Sequence, residues 1–233
     1  DNTLFEDGEG SLSSGAGQHI YVGQNNSMEV RRGVIAFDVA AAIPTGSTID
    51  AATLTFNMSR TSGDAATVSL HRLLTDWGEG ASAAKGGGGA TSTAGDATWV
   101  HTRYDTDVWD TPGGDFVLES RASIEVAGDG RYTWSSESMV ANVQGWLNSP
   151  ASNFGWALVG DEERNNTTKR FDSREAKAPE ARPVLRIEFT PPGGQGTAVG
   201  SGTIHRRRDC AALGRGDHRV AGSHAGLWRI AAI

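Results

Sequence analysis

The stretch RYDTDVWDTPGGDF, residues 103–116, carries four aspartates whose oxygens could hold a metal ion. Calcium prefers carboxylate and carbonyl oxygens and takes roughly six to eight of them. Two or three of these aspartates together with backbone carbonyls would be sufficient, although the Gly and Glu positions of an EF-hand loop are missing. A solvated acidic loop is the alternative. The sequence therefore predicts a candidate calcium site with four ligands: Asp105, Asp107, Asp110 and Asp115.

Aromatic residues of the same region could bind a sugar, because C–H groups of a sugar ring stack on aromatic faces while polar side chains bond its hydroxyls. The candidates are Trp77, Trp99, Tyr104 and Trp109. Trp109, which precedes an Asp and a Thr, is the best candidate for an exposed platform. Trp77 and Trp99 fit equally well as core residues that close one end of the fold.

The segment KRFDSRE, residues 169–175, alternates charge around one aromatic residue. Arg170, Asp172 and Arg174 would share one face of a strand. Arginine binds carboxylates through two parallel hydrogen bonds, so Arg170 and Arg174 could bind an acidic polysaccharide. The alternative is a structural ion-pair network with Asp172.

Strands must position these side chains, because short alternations of apolar and polar residues dominate the chain. Clusters of Gly, Pro, Asn and Asp separate the alternating segments. Many short strands with turns between them predict an all-β fold, either a sandwich or a barrel. The predicted strands are 19–23, 33–39, 53–59, 68–73, 115–126, 131–134, 155–160 and 183–189.

One segment has helical spacing instead. Apolar residues in 135–150 recur every three or four positions, Ser135 or Ser136 is a suitable N-cap, and Pro150 ends the segment. This pattern predicts one short amphipathic helix packed on the strands. Residues 78–97 are rich in glycine and predict a long flexible loop. A phosphate loop is excluded there, because Lys85 precedes the glycines and no helix follows them.

Composition and charge limit the partners. The chain has 233 residues and a net charge of −7, with +4 in the Arg-rich segment 191–233 and −11 in residues 1–190. An acidic body argues against a nucleic acid partner and favours cation binding and solubility. The single cysteine, Cys210, and a start at Asp1 rather than Met fit a processed, secreted bacterial protein. No apolar run is long enough to predict a membrane span.

The chain divides into two parts, a β-domain over 1–190 and a Gly/Arg-rich tail over 191–233. We expect the tail to dock on the body or on a neighbouring subunit of a homo-oligomer. Its last segment, GLWRIAAI, residues 226–233, could add as a strand to an exposed sheet edge.

Several segments in order, among them RRGVIAFDV, IPTGSTIDAATLTFNMS, VSLHRLLTDWGEG and RPVLRIEFT, resemble secreted bacterial proteins with a DNRLRE-type domain. The resemblance covers about residues 3–190. It implies a jelly-roll-type β-sandwich, an extracellular location and a non-catalytic domain related to a carbohydrate-binding module of alginate lyases. Such proteins often end in a PEP-CTERM sorting segment, whereas this chain has the Arg-rich tail. The resemblance supplies neither a ligand nor site residues.

Three hypotheses for function follow. The first is a non-catalytic extracellular protein that binds a polysaccharide or matrix through the aromatic and acidic loops. The second is a self-assembling subunit of a surface layer or extracellular filament. The third is a polysaccharide-active enzyme on a jelly-roll fold, with His101 near Tyr104 as an imitation of a lyase base pair. We expect a binding protein rather than an enzyme, because the sequence shows neither a nucleophile elbow nor a His/Cys metal cluster.

Overall fold

Antiparallel strands make up most of the regular structure in the computed structural model, which describes residues 1–193 and 229–231. Two α-helices accompany them, α1 (Val39–Ala42) and α2 (Glu137–Asn148), with 3₁₀ turns at Pro150–Ser152 and Pro179–Ala181. The strands of this described part are β1 (Asn2–Phe5), β2 (Leu12–Ser13), β3 (His19–Gln24), β4 (Val30–Ile35), β5 (Thr48–Thr61), β6 (Ala66–Arg72), β7 (Ala90–Thr91), β8 (His101–Arg103), β9 (Asp107–Val108), β10 (Ala122–Val126), β11 (Gly130–Ser135), β12 (Trp156–Val159), β13 (Lys169–Asp172), β14 (Val184–Thr190) and β15 (Arg229–Ala231).

Eleven of these strands form one continuous, curled antiparallel sheet in the order β10-β6-β12-β4-β3-β13-β5-β14-β15, with β1 beside β4 and β11 beside β5. Two small ribbons, β2–β7 and β8–β9, lie outside it. The curled sheet encloses its core between two facing halves. The prediction of an all-β, sandwich-like fold with one short amphipathic helix is confirmed.

The main core joins the two halves of the sheet. Phe56, Trp134 and Phe171 pack with ring centroids 5.6–5.9 Å apart. The indole Nε1 of Trp134, on β11, donates to the carbonyl oxygen of Val68 on β6 at 2.9 Å. Because a buried indole N–H needs an acceptor, this bond satisfies the tryptophan while it links the two halves.

Helix α2 closes the core from one side, as its apolar spacing predicts. The hydroxyl of Ser136 caps its first turn by accepting from the backbone N–H of Met139 at 3.0 Å. Its buried face includes Trp146, whose ring lies 4.5 Å from that of Trp156 on β12.

Two predicted strands differ from the observed ones, and local polar bonds explain the first. The segment 33–39 ends its strand at Ile35, because the carboxylate of Asp38 caps α1 by accepting from the N–H of Ala41. The segment 115–126 becomes a strand only at Ala122. Before that point a single bridge joins Phe116 to Leu73.

A second hydrophobic cluster, which we call the outer cluster, lies apart from the main core. It contains Leu4, Val34, Leu73, Ala97, Trp109 and Ala157. Ile35 of β4 and Leu158 of β12 belong to the main core, whereas the preceding residues, Val34 and Ala157, belong to the outer cluster. Since successive side chains of a strand point to opposite faces, the outer cluster lies on the other face of these strands.

Strand β15 pairs antiparallel with β14, with Val184 opposite Ala231 and Arg186 opposite Arg229. Residues 229–231 therefore form a strand beside β14 of the same chain, while docking of the tail as a whole, on the body or on a neighbouring subunit, stays a prediction. The rest of the tail, 194–228, lies outside the described residues. Among the helices of the described part, none is long and apolar enough to cross a membrane.

Candidate functional site

Trp109 is not the exposed platform that the sequence predicted. Its side chain is only 3% exposed and belongs to the outer cluster. The indole Nε1 donates to the carbonyl oxygen of Thr98 at 2.9 Å, and the backbone N–H donates to the carbonyl oxygen of Val100 at 3.0 Å. These bonds hold the residue after the β8–β9 hairpin with its ring turned inward, so the prediction of an exposed ring is wrong.

The other three aromatic candidates are half-buried. Trp77 and Trp99 pack against the outer cluster, in line with the core alternative, and the indole of Trp77 donates to the carbonyl oxygen of Phe154 at 2.9 Å. Tyr104 packs edge-on against His101, with ring centroids 5.2 Å apart. Each of these rings therefore has one side covered by a packing partner, and none of the three is fully exposed.

The four predicted calcium ligands do not converge. Asp115 accepts from the backbone N–H groups of Asp110 and Thr111, at 3.0 and 2.8 Å, and so shapes a turn. Asp105 occupies the tip of the β8–β9 hairpin with a left-handed φ of 68°. Asp107 and Asp110 are exposed. Within residues 1–193, no group of three or more His, Cys, Asp or Glu side chains could hold a metal ion. Calcium binding stays a prediction without a preformed cluster.

Arg174 lies outside the strand that was expected to carry it, since β13 ends at Asp172. Its guanidinium Nη2 is 2.6 Å from the Glu79 carboxylate and 3.2 Å from that of Glu175. Its backbone N–H donates to the carboxylate of Asp1 at 2.8 Å. Arg174 therefore ties the end of β13 to the loop at Glu79 through structural ion pairs, although its partners are Glu79 and Glu175 rather than Asp172.

Arg170 has a different setting, because it lines a cleft of about 610 Å³ on the outward face of β3, β5 and β13. We call this the arginine cleft. It is lined by three arginines, one lysine, one acid and one tyrosine, with three asparagines and a run of glycines completing the wall. The charged and aromatic residues are Tyr21, Glu29, Arg31, Arg60, Lys85 and Arg170.

The floor of the arginine cleft is a row of three side chains across three strands. Arg170 on β13 pairs with Tyr21 on β3 and with Arg60 on β5. Adjacent strands lie about 4.7–4.9 Å apart, so the two arginines start from neighbouring backbone positions. Like charges directly opposite each other destabilise a sheet.

A β-bulge brings the two arginines to one side. Arg170 pairs with Arg60, whereas the next residue, Phe171, pairs with Met58, so Ser59 is the extra residue. Met58 is buried in the core, and the strict two-residue period would also turn Arg60 inward. The extra residue reverses that orientation and leaves Arg60 on the outward face, which is how bulges redirect side chains.

Arg170 is held in place while keeping its charge unpaired. Its Nε donates to the hydroxyl of Ser59 at 3.2 Å, and its Nη2 donates to the carbonyl oxygen of Ser59 at 2.9 Å. In the described part of the chain, no carboxylate lies within salt-bridge distance of Arg60 or Arg170. Burial raises the pKa of the Tyr21 hydroxyl, and the charges of Arg170 and Arg60 partly offset this rise.

Arg31, in contrast, is neutralised and structural. It is 3% exposed, its Nη2 lies 2.9 Å from the Glu29 carboxylate, and its guanidinium stacks over the Phe5 ring. Its Nε donates to the carbonyl oxygen of Gly87 at 3.3 Å. Arg31 thus fastens the glycine run to the sheet and forms part of the cleft wall.

The loop 78–97, predicted to be flexible, is anchored by Asp96. This fully buried carboxylate accepts from the backbone N–H groups of Ala81 and Thr93, both at 2.7 Å, and from that of Ser82 at 3.3 Å. Strand β7 then pairs with β2. These bonds set the position of residues 85–88 beside the arginine cleft.

A polar network connects the cleft to the far end of β13. The Asp172 carboxylate accepts from Asn57 at 2.6 Å and from the hydroxyl of Ser59 at 2.8 Å, and it lies 3.1 Å from Nδ1 of His19. Ser59 also accepts from Arg170. Burial and then the charge of Arg170 lower the pKa of His19, against the opposing effect of Asp172.

Sequence reasoning found Arg170 but missed Tyr21, Arg60 and Lys85 as its companions. Only the pairing of β5 with β13 brings Arg60 beside Arg170, and that pairing depends on a bulge for which the sequence offers no signal. The one feature of the sequence that could have indicated the cleft is Lys85 before a run of glycines. No protein-family model matches the chain, and no curated protein matches it.

Proposed function

We propose that the chain is a non-catalytic extracellular module that binds an acidic polysaccharide in the arginine cleft. The observation that carries this proposal is the direct pairing of Arg60 with Arg170, without a carboxylate partner for either in the described residues. Two opposed guanidiniums repel each other, and an anionic ligand between them would remove that repulsion.

The other lining residues suit a sugar chain. Asn26 and Asn166 can donate to and accept from hydroxyls, whereas the side chain of Asn25 is already bonded to Ser27 and Glu29. The Tyr21 ring adds an apolar surface to the floor. The volume of about 610 Å³ lies within the range of roughly 300–1,000 Å³ that is typical of ligand sites. The asparagines of the lining are Asn25, Asn26 and Asn166.

The resemblance to secreted DNRLRE-type proteins supports the extracellular location and a binding role. The burial of Trp109 and the packing of the three half-buried rings beside it favour a binding surface on the sheet face that carries Arg170 instead. Polysaccharide binding through the cleft does not need a metal, so this proposal does not depend on the predicted calcium site.

A co-sedimentation series tests the proposal. The purified protein is mixed with gelled alginate or pectate as acidic polysaccharides and with cellulose, chitin and xylan as other surfaces, each with calcium or with a chelator. We expect pelleting with an acidic polysaccharide. Loss of pelleting with the chelator, when the gel itself persists, would place a metal in or near the site.

Charge-matched variants locate the site. Arg60→Gln and Arg170→Gln each remove a guanidinium from the cleft, and we expect each to weaken binding about fivefold to twentyfold, in keeping with a charge-assisted hydrogen bond. Arg131→Gln removes the same charge from an exposed residue of β11, outside the cleft, and should leave affinity unchanged. Equal effects of all three variants would contradict the cleft as the binding site.

A second candidate function is self-assembly, and one observation favours it. Because β15 adds to the edge strand β14 through backbone bonds, the β15 segment of one copy could occupy the β14 edge of another. Light scattering of the full chain against a chain ending at residue 193 tests this exchange. Oligomers that persist without residues 194–233 would exclude β15 as their cause.

A further inference from the structure

The glycine run beside the arginine cleft has no packing role at two of its positions. A Cβ atom added to Gly86 or Gly88 would meet no atom within 4 Å, and neither residue has the left-handed φ that favours glycine. Gly87 differs, because a Cβ there would lie 3.2 Å from the Tyr21 ring. Where neither crowding nor backbone conformation requires glycine, close approach of a ligand to the backbone would explain it.

The backbone N–H groups of this run are unpaired. Within the described residues, those of Gly86, Gly87 and Gly88 have neither a backbone nor a side-chain acceptor. All three residues line the arginine cleft next to Lys85. Successive N–H groups in a turn can form concave sites that bind anions, and residues 87 and 88 lie in a turn. The wall of the cleft therefore offers hydrogen-bond donors of its own, in addition to the guanidiniums on the floor.

We propose that the segment Lys85–Gly88 and the pair Arg60 and Arg170 together bind a sulfate ester of the polysaccharide. This inference rests on the proposed function and specifies its ligand. A carboxylate has two oxygens in one plane, which a single guanidinium satisfies through two parallel bonds. A sulfate ester has three terminal oxygens in different directions, and it can accept at once from donors on the floor and on the wall.

The charges of the cleft agree with such a ligand. Glu29 neutralises Arg31, which leaves Arg60, Lys85 and Arg170 as the cations of the cleft that have no carboxylate partner in the part of the chain described. Lys85 is exposed and adds a mobile point charge. A polymer with one sulfate on each of several sugars would satisfy this excess better than a sparsely charged one.

Three polymers with the same dextran backbone distinguish binding to sulfate from binding to carboxylate. They are dextran sulfate, carboxymethyl dextran of matched charge density and length, and plain dextran. Affinity for the wild-type protein is measured by titration calorimetry at one ionic strength. We expect dextran sulfate to bind about tenfold more tightly than carboxymethyl dextran, a difference of the size that hydrogen bonds to a charged group give. Plain dextran should not bind measurably.

A matched pair of variants at one position tests the backbone amide. Gly88→Pro removes the N–H, whereas Gly88→Ala keeps it and meets no neighbouring atom. We expect Gly88→Pro to lose about tenfold in affinity for dextran sulfate and much less for carboxymethyl dextran. Gly88→Ala should lose less affinity than Gly88→Pro, because it keeps the N–H and adds only a methyl group where the ligand approaches the backbone. Thermal unfolding shows whether each variant is folded.

The outcomes separate this inference from the proposed function. Equal affinity of wild type for the two charged dextrans, with loss in Arg60→Gln and Arg170→Gln, would overturn the sulfate assignment and leave the cleft as an acidic polysaccharide site. Equal behaviour of Gly88→Pro and Gly88→Ala would overturn the role of the glycine amides. Binding to neither charged dextran would contradict both proposals.

Discussion

Two buried charged residues on β13 fix the position of Arg170 between them. Lys169 is fully buried, and its ammonium donates to the hydroxyl of Thr61 at 2.7 Å and to the carbonyl oxygen of Ser62 at 3.0 Å. Asp172 is 7% exposed and accepts from side chains of β5. Since a buried polar group that loses its partners is costly, both residues resist displacement of the strand.

His19 gives this region a dependence on pH. Burial lowers its pKa below the ordinary value of 6.5, so the unfolded chain binds more protons than the folded chain between the two pKa values. Stability therefore rises with pH through that window and is lost as the pH falls below about 6.5. The charged and titratable groups that face the ring are Asp172, Arg170 and Tyr21.

Replacement of His19 by Gln should remove this dependence. We expect the free energy of unfolding of the wild type, minus that of His19→Gln, to fall as the pH decreases from about 7 to about 5, by at most about 1.4 kcal/mol per pH unit. Urea unfolding at several pH values measures it. A difference that is constant over this range would show that His19 has the same pKa in the folded and unfolded chains.

At the scale of elements, periodicity predicted the strands and the helix whose buried side chains recur at regular intervals. The alternation in 53–59 identified β5, and the three-or-four-residue spacing in 135–150 identified α2. Periodicity could not give the outward turn of Arg60, because one extra residue in β5 reverses the faces that follow it. Glycine content likewise gave no sign that Asp96 anchors the loop 78–97, where one buried carboxylate is bonded to three backbone amides.

That carboxylate gives the test at this scale. Asp96→Asn replaces one acceptor oxygen with an NH₂ group facing backbone donors, so we expect a loss of about 1–3 kcal/mol in the free energy of unfolding and faster amide exchange in residues 78–97. Because residues 85–88 line the cleft, affinity for an acidic polysaccharide should also fall. Hydrogen exchange and calorimetry measure these effects.

Asp110→Asn is the matched control for Asp96→Asn. The Asp110 carboxylate is exposed and forms no hydrogen bond with any residue that the structure describes. It should change neither loop protection nor affinity. Unchanged exchange in Asp96→Asn would mean that the β2–β7 pair, rather than the carboxylate, holds the loop.

At the scale of the whole molecule, the cleft is a positive site on an acidic protein. Residues 1–190 carry a net charge of −11, and the chain as a whole carries −7. Distant acidic residues repel a polyanion over long distances, whereas the cleft attracts it only at close range. Net charge alone, which argued against a nucleic acid partner, could not reveal a local cluster of cations assembled from strands far apart in sequence.

Salt should therefore affect association in two opposing ways. The Debye length falls from about 30 Å at 0.01 M salt to about 10 Å at 0.1 M, so the first additions of salt screen the long-range repulsion more than the contacts inside the cleft. We expect the association rate constant for an acidic polysaccharide to rise over this range, and affinity to decline at higher salt as the close contacts are screened as well. Surface-binding kinetics with an immobilised polysaccharide measure both, with plain dextran as the uncharged control. An association rate that falls steadily from the lowest salt concentration would mean that the attraction of the cleft outweighs the acidic body at every distance.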